Sequence, residues 1–240
     1  MTRAPSKADF IDYRGEVLRM VEAQHRISTS RLTDTLLEEE RLERLIEEVK
    51  PPLPRAARKL HYLLATPFRY GHRSESRFRR AGERPGIFYA SERKITCLYE
   101  MAYWRMRFFA ASPEAILPTT TTEYLMFGAE IDAPRSLDLS RKPFSAARVK
   151  WIDPTSYQEC QGFADRARKI STQLIRYQSA RDPEGGFNIA LLDPACFRSD
   201  VPTNHGTFHF RFQNGKLTVI GASPQTDRHE FEFAKVGLER

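Results

Sequence analysis

Apolar positions in the first fifty residues recur at helical spacing. Phe10, Val17, Leu18, Met20 and Val21 fall on or near one face. Leu32, Leu36, Leu37, Leu42, Leu45 and Ile46 continue the pattern through RLTDTLLEEERLERLIEEV, so residues 8–50 read as helix. Ser28 to Ser30 can break and recap the chain between two helices, and the acidic run Glu38 to Glu40 is most simply a solvated face. Lys50-Pro51-Pro52-Leu53-Pro54 stops the pattern, because proline cannot continue a helix. The expected division is a helical N-terminal extension over residues 1–55 and a main domain over 56–240.

Beyond the prolines the period shortens. Residues 60–70 read as extended and 86–90 as a short buried strand, after which Ser91 can cap a helix running to about Phe109. Residues 119–132, rich in Thr, Tyr and Phe, and 136–139 read as strands. A long amphipathic helix is expected over 156–177, with Tyr157, Cys160, Ala164, Ala167, Ile170, Leu174 and Tyr177 as its stripe. A strand over 188–192 follows, then a hairpin turning at Asn214-Gly215. Strands scattered among helices rather than alternating with them make the fold class α+β.

Composition bounds the function without naming it. The 240 residues, 40% hydrophobic and 29% charged, suffice for a real core. A formal charge of +7 favours anionic partners, whether nucleotides, nucleic acid or an acidic protein. Cys97, Cys160 and Cys196 lie far apart, with no CxxC pair, which argues against a zinc knuckle and a secreted disulfide framework. The N-terminus lacks the apolar core of a signal peptide, and no apolar run approaches the roughly 18 residues of a membrane span. A cytoplasmic protein without membrane contact is expected. P-loop, GxSxG, HExxH and GxGxxG signatures are all absent. His205 and His209 lack evident co-ligands and read as structural histidines, so no metal is expected.

Chemistry concentrates between Thr66 and Phe109. Arginines 69, 73, 77, 79, 80 and 84 precede a strand ending in Tyr89 and a helix carrying Glu100. Arginine forks suit phosphate oxygens. The same loop, interleaved with Phe68, Tyr70 and Phe78, also reads as a nucleic-acid patch or a plain solvated loop. Glu100 sits among Leu98, Tyr99, Met101, Tyr103 and Trp104, so it is either exposed or buried with a partner. Structural pairing with an arginine accounts for it as well as catalysis does. Tyr89 alone reads as core, and Ser179 as a helix-exit cap.

Two blocks in order carry a resemblance. SRFRRAGERPGIFYASERKITCLYE and YQSARDPEGGFNIALLDP are similar to the two motif blocks of the RES domain family, over roughly residues 60–220. By position the family arginine corresponds to Arg77, with Arg79 and Arg80 close enough in sequence to compete for the assignment. Arg69 and Tyr70 match an upstream arginine–aromatic pair. The tyrosine corresponds to Tyr89, the glutamate to Glu100 and the serine to Ser179. The resemblance implies an ADP-ribosyltransferase-like mixed β core with flanking helices. It also implies NAD as substrate, and the toxin half of a type II pair neutralised by a helix-turn-helix (Xre-type) antitoxin.

The expected catalytic set is then Glu100, Arg77, Tyr89 and Ser179. The expected NAD-binding set is Arg69, Tyr70, Arg77, Tyr89, Ser179 and Asn188. Nicotinamide leaves as a neutral base, so the group needing stabilisation is the oxocarbenium-like ribose, which a carboxylate can face. The acceptor stays open: water gives hydrolysis, inorganic phosphate gives phosphorolysis, and a protein target gives mono-ADP-ribosylation. A basic nucleic-acid-binding module without NAD turnover is the rival reading.

Overall fold

The first expected helix is instead a strand. In the computed structural model, which describes residues 2–23, 32–112, 114, 116–223 and 227–239, residues Ile11–Glu22 form β1. The expected break at Ser28 to Ser30 lies outside the described residues. Tyr13 and Val17 enter one core cluster, while Met20, with Leu18 beside it, enters another. A strand covered on both faces carries apolar side chains at both parities, and 17, 18, 20 and 21 then imitate helical spacing.

The other elements are α1 (Leu36–Val49), α2 (Tyr62–Arg69), β2 (Phe88–Ser91), α3 (Lys94–Ala110), β3 (Thr122–Asp138), α4 (Arg148–Trp151), α5 (Gln158–Lys169), β4 (Leu174–Gln178), β5 (Phe187–Leu191), β6 (Thr203–Gln213), β7 (Lys216–Gly221) and β8 (Arg228–Glu232). Strand order is β1-β2-β5-β4-β3-β6-β7-β8, and β1 pairs again with β3. Five strands therefore close into a barrel-like ring, while β6, β7 and β8 extend from the long β3. Among the described residues only β3 and β4 pair in parallel; the remaining pairs are antiparallel. The architecture is a mixed α/β one, with a barrel-like sheet flanked by helices.

Helix α1 forms where its spacing predicts, capped by Thr35 accepting from the Glu38 N–H, yet it buries no residue. Residues 60–70 form α2 rather than an extended run, since Leu64 and Phe68, one turn apart, both reach the core around β2 and β5. The expected helix over 156–177 stops at Lys169. Ser171 adopts φ 62°, and the chain turns there into β4, so Leu174 and Tyr177 belong to a strand. The two strands expected over 119–139 are one, carried past Pro134 by a register shift opposite Ile11 and Tyr13. The β6–β7 turn is as expected, with Asn214 and Gly215 both at positive φ.

Helix α3 lies against β1, β3 and the β6–β8 extension through Leu98, Ala102 and Met106, all fully buried. Helices α4 and α5 cover the opposite side with Trp151, Phe163 and Ala167. The cysteines are free and buried, and burial pushes the Cys97 thiol up to about 12. Among the described residues no helix is long and apolar enough to cross a membrane.

Candidate active site

One face of α3 looks into a cleft of about 370 Å³ that also meets β1, β2, the 72–79 loop and the β4–β5 turn. Glu100 stands half-buried at its wall. Its Oε1 accepts from Ser179 Oγ at 2.7 Å and from Asn188 Nδ2 at 2.6 Å. Asn188 is fixed in turn, because its Oδ1 accepts from Ser91 Oγ at 2.7 Å. Ser91 thus orients the site rather than capping α3, whose N-cap is Arg93. Glu100 Oε2 takes no partner among the described residues. One carboxylate oxygen is locked and the other is left over.

Ser179 is held by the turn that follows it. Its Oγ accepts from the Arg181 and Asp182 N–H groups, both at 3.0 Å. Asp182 ties this turn to the start of α3, accepting from Thr96 Oγ1 at 2.6 Å and Arg93 at 3.0 Å. Gly186 is required here, because a Cβ would collide with Thr96 and Asp182.

Arg77 is 8% exposed and donates to the Trp151 carbonyl at 2.6 Å. Its guanidinium lies 5.0 Å from the Tyr157 ring centroid and 6.0 Å from that of Tyr177. Burial works against its charge, but Tyr177, Cys160, Tyr157 and Glu100 outweigh it and raise its pKa. Burial first, then Glu100 and Tyr89, push the Tyr177 hydroxyl well above its ordinary value. That phenol stays neutral. The Tyr89 hydroxyl bonds Ser76 Oγ at 2.9 Å and accepts from the Phe78 N–H at 3.1 Å, so it pins the arginine loop to β2.

Glu100, Arg77, Tyr89 and Asn188 all line the cleft, and Ser179 touches Glu100 directly. Arg69 and Tyr70 do not line it. Arg69 ends α2, pairs with Glu47 of α1 and donates to the Pro51 carbonyl at 2.8 Å, which commits its fork elsewhere. Of the competing arginines, Arg79 lines the cleft with Arg77 and Arg80 does not. Arg79 spends its donors on the carbonyls of His72, Ser74 and Arg80, and Arg80 pairs with Asp165. His205 bonds Glu16 at 2.9 Å, and no cluster of three metal-ligating side chains occurs among the described residues.

Sequence reasoning passed over Arg19, Trp104 and Arg181, which also line the cleft. Arg181 lies 3.6 Å from the Tyr103 ring centroid. Arg19 was hidden by the helical reading of β1. The only signal was a charged residue interrupting an apolar run.

The family model for the RES domain matches residues 52–211. The chain belongs to the RES domain family. Its match takes in the arginine loop, Glu100, Ser179 and Asn188, and leaves β1 and α1 outside. No curated protein matches the sequence. Among solved structures, the RES chain is similar to one in the crystal structure of the M. tuberculosis MbcT–MbcA toxin–antitoxin complex. Identity is 14%, covering 83% of this chain and 86% of that one, with a TM-score of 0.47.

Proposed function

We propose that this RES protein cleaves the nicotinamide–ribose bond of NAD on an ADP-ribosyltransferase-like core and acts as the toxin of a toxin–antitoxin pair. The observation that carries the chemistry is the half-locked carboxylate of Glu100. Oε1 is held by Ser179 and Asn188, while Oε2 is left for the ribose. As the C1′–N bond breaks, its electron pair leaves with neutral nicotinamide, and positive charge develops on the ribose. Glu100 is prepositioned to offset that charge without reorganising. Arg77, Tyr157 and Tyr177 form the wall beside it, and Tyr89 keeps the loop in place. An acceptor oxygen then bonds C1′; phosphate gives the 1′-phosphate, and water, after losing a proton, gives ADP-ribose.

The nucleic-acid reading loses its main support. Of the six arginines in the basic stretch, Arg69, Arg77, Arg79 and Arg80 spend donors on the protein itself, which leaves Arg73 and Arg84 as the exposed ones without a partner among the described residues. The family resemblance supplies the expected partner, a helix-turn-helix antitoxin whose co-expression should relieve growth arrest.

Purified protein should consume NAD in an assay resolving nicotinamide, ADP-ribose and its 1′-phosphate, with and without inorganic phosphate. Glu100→Gln keeps an acceptor oxygen for Ser179 and Asn188 but loses the charge. Its kcat should fall on the order of a hundredfold or more, with an unchanged melting temperature. A fully active Gln variant would remove Glu100 from the chemistry.

A further inference from the structure

Arg19 projects from β1, outside the family-matched residues. Its Nη1 donates to the Tyr89 carbonyl at 2.6 Å, and the guanidinium lies 5.1 Å from the Phe88 ring centroid. Among the described residues no carboxylate pairs with it and Nη2 has no acceptor. Nε is sealed from water without a partner. A half-buried guanidinium with Nε left in that state is unfavourable unless an anion answers it. Burial holds its pKa below the ordinary arginine value.

Charges of both signs stand around it, Arg79 and Glu75 among them. His72 is depressed first by burial, then by Arg79 and Arg19. Arg79 contributes field without bonds, since its donors are spent on carbonyls. Cys97 feels both Arg19 and Glu100. The cleft therefore carries both a carboxylate, Glu100, and an unanswered guanidinium, Arg19.

A second recess of about 380 Å³ adjoins this end, walled by Val21, Tyr62, Leu63 and Leu125, with the Glu22 carboxylate also on its lining. Arg19 and Pro67 line both cavities, so Arg19 stands at their junction. The Tyr62 side chain is exposed there and offers a ring face.

We propose that Arg19 binds phosphate oxygens at this junction, holding a diphosphate that joins one nucleoside seated against Glu100 to a second in the Tyr62 recess. This rests on the NAD reading and deepens it, placing the diphosphate contact on a residue from outside the RES match. The Tyr89 carbonyl fixes Nη1, which leaves Nη2 for the anion.

Calorimetry on the full chain with orthophosphate, pyrophosphate and ADP tests this without requiring turnover. Wild type should bind ADP more tightly than pyrophosphate. Arg19→Met keeps the stem over Phe88 and should weaken both by about tenfold or more, the worth of a charge-assisted hydrogen bond. Arg19→Lys should fall between, because one ammonium cannot serve the carbonyl and the phosphate together. Tyr62→Ala should remove only the advantage of ADP over pyrophosphate.

Unchanged pyrophosphate binding in Arg19→Met overturns the inference, and Arg19→Lys decides it if the Met variant does not fold. Absence of binding by wild type overturns it too. Arg19-dependent binding of orthophosphate alone overturns the two-nucleoside seat and indicates an acceptor site. If NAD is never consumed but ADP binds through Arg19, the NAD reading falls and the anion site stands. If NAD is consumed and Arg19→Met has an unchanged KM, the reverse holds.

Discussion

Glu100 depends on neutral donors rather than on a cation. Asn188, 3% exposed, sits between Ser91 and Glu100 and can accept from one only while donating to the other. Asn188→Asp would set a second carboxylate in the place of the amide, 2.6 Å from Oε1. Two carboxylates at that distance cannot both ionise freely, so the pair keeps a proton to higher pH. The native state then binds more protons than the unfolded chain, and the variant's stability falls as pH rises through the raised native value. The expected penalty is about 3 kcal/mol near pH 8, shrinking toward pH 5. The proposed reaction needs ionised Glu100, so on that proposal the acid limb of the NAD-cleavage profile should move to higher pH. An unmoved limb would mean that Asn188 and Glu100 do not share a proton.

At the scale of elements, the β4–β5 turn is the brace of the site. Asp182 is buried, which by itself raises its pKa, yet bonds from Thr96, the Glu184 N–H and Arg93 outweigh burial and hold it below the ordinary 3.8. The carboxylate also faces the first turn of α3, where the helix dipole favours negative charge. A depressed native value means stability that is present above 3.8 and lost as pH falls through it. Asp182→Asn should therefore cost about 1–3 kcal/mol at neutral pH, with the gap to wild type closing near pH 3. Urea midpoints of both proteins at the two pH values check this, and a gap independent of pH would assign the loss to packing. This brace was half legible. Ser179, Glu100 and Asn188 stood in motif blocks, and the Asn-Gly hairpin announced itself. Asp182 and Thr96 gave no local sign, because their contact joins a turn to a helix more than eighty residues away. Arg69 stood in the expected motif, but α1 claims its fork, a competition between distant elements that spacing cannot register.

For the whole molecule, the N-terminal pattern suggested an appendage, and the sheet has made β1 a member of its closed ring. β1 pairs with β3 along nearly its full length and touches β2 at Leu18 and Ser91. It contributes Tyr13, Val17 and Met20 to two core clusters. Local pattern could not show this, since a strand buried on both faces and a helix share the spacing of its apolar residues. A chain beginning at residue 52, where the RES match starts, would lose all three side chains. Each is worth about 1.5–3 kcal/mol, so the sum takes up much of a typical stability of about 5–15 kcal/mol. It would also leave the inner edge of β3 unpaired and open to association. The shortened chain should show no cooperative urea transition and should aggregate at concentrations where the full chain is soluble. If it unfolds cooperatively, the ring closes without β1 and residues 1–51 are an appendage after all. In that case its NAD cleavage becomes the deciding measurement for Arg19, since Glu100, Ser179 and Asn188 remain while the junction guanidinium does not.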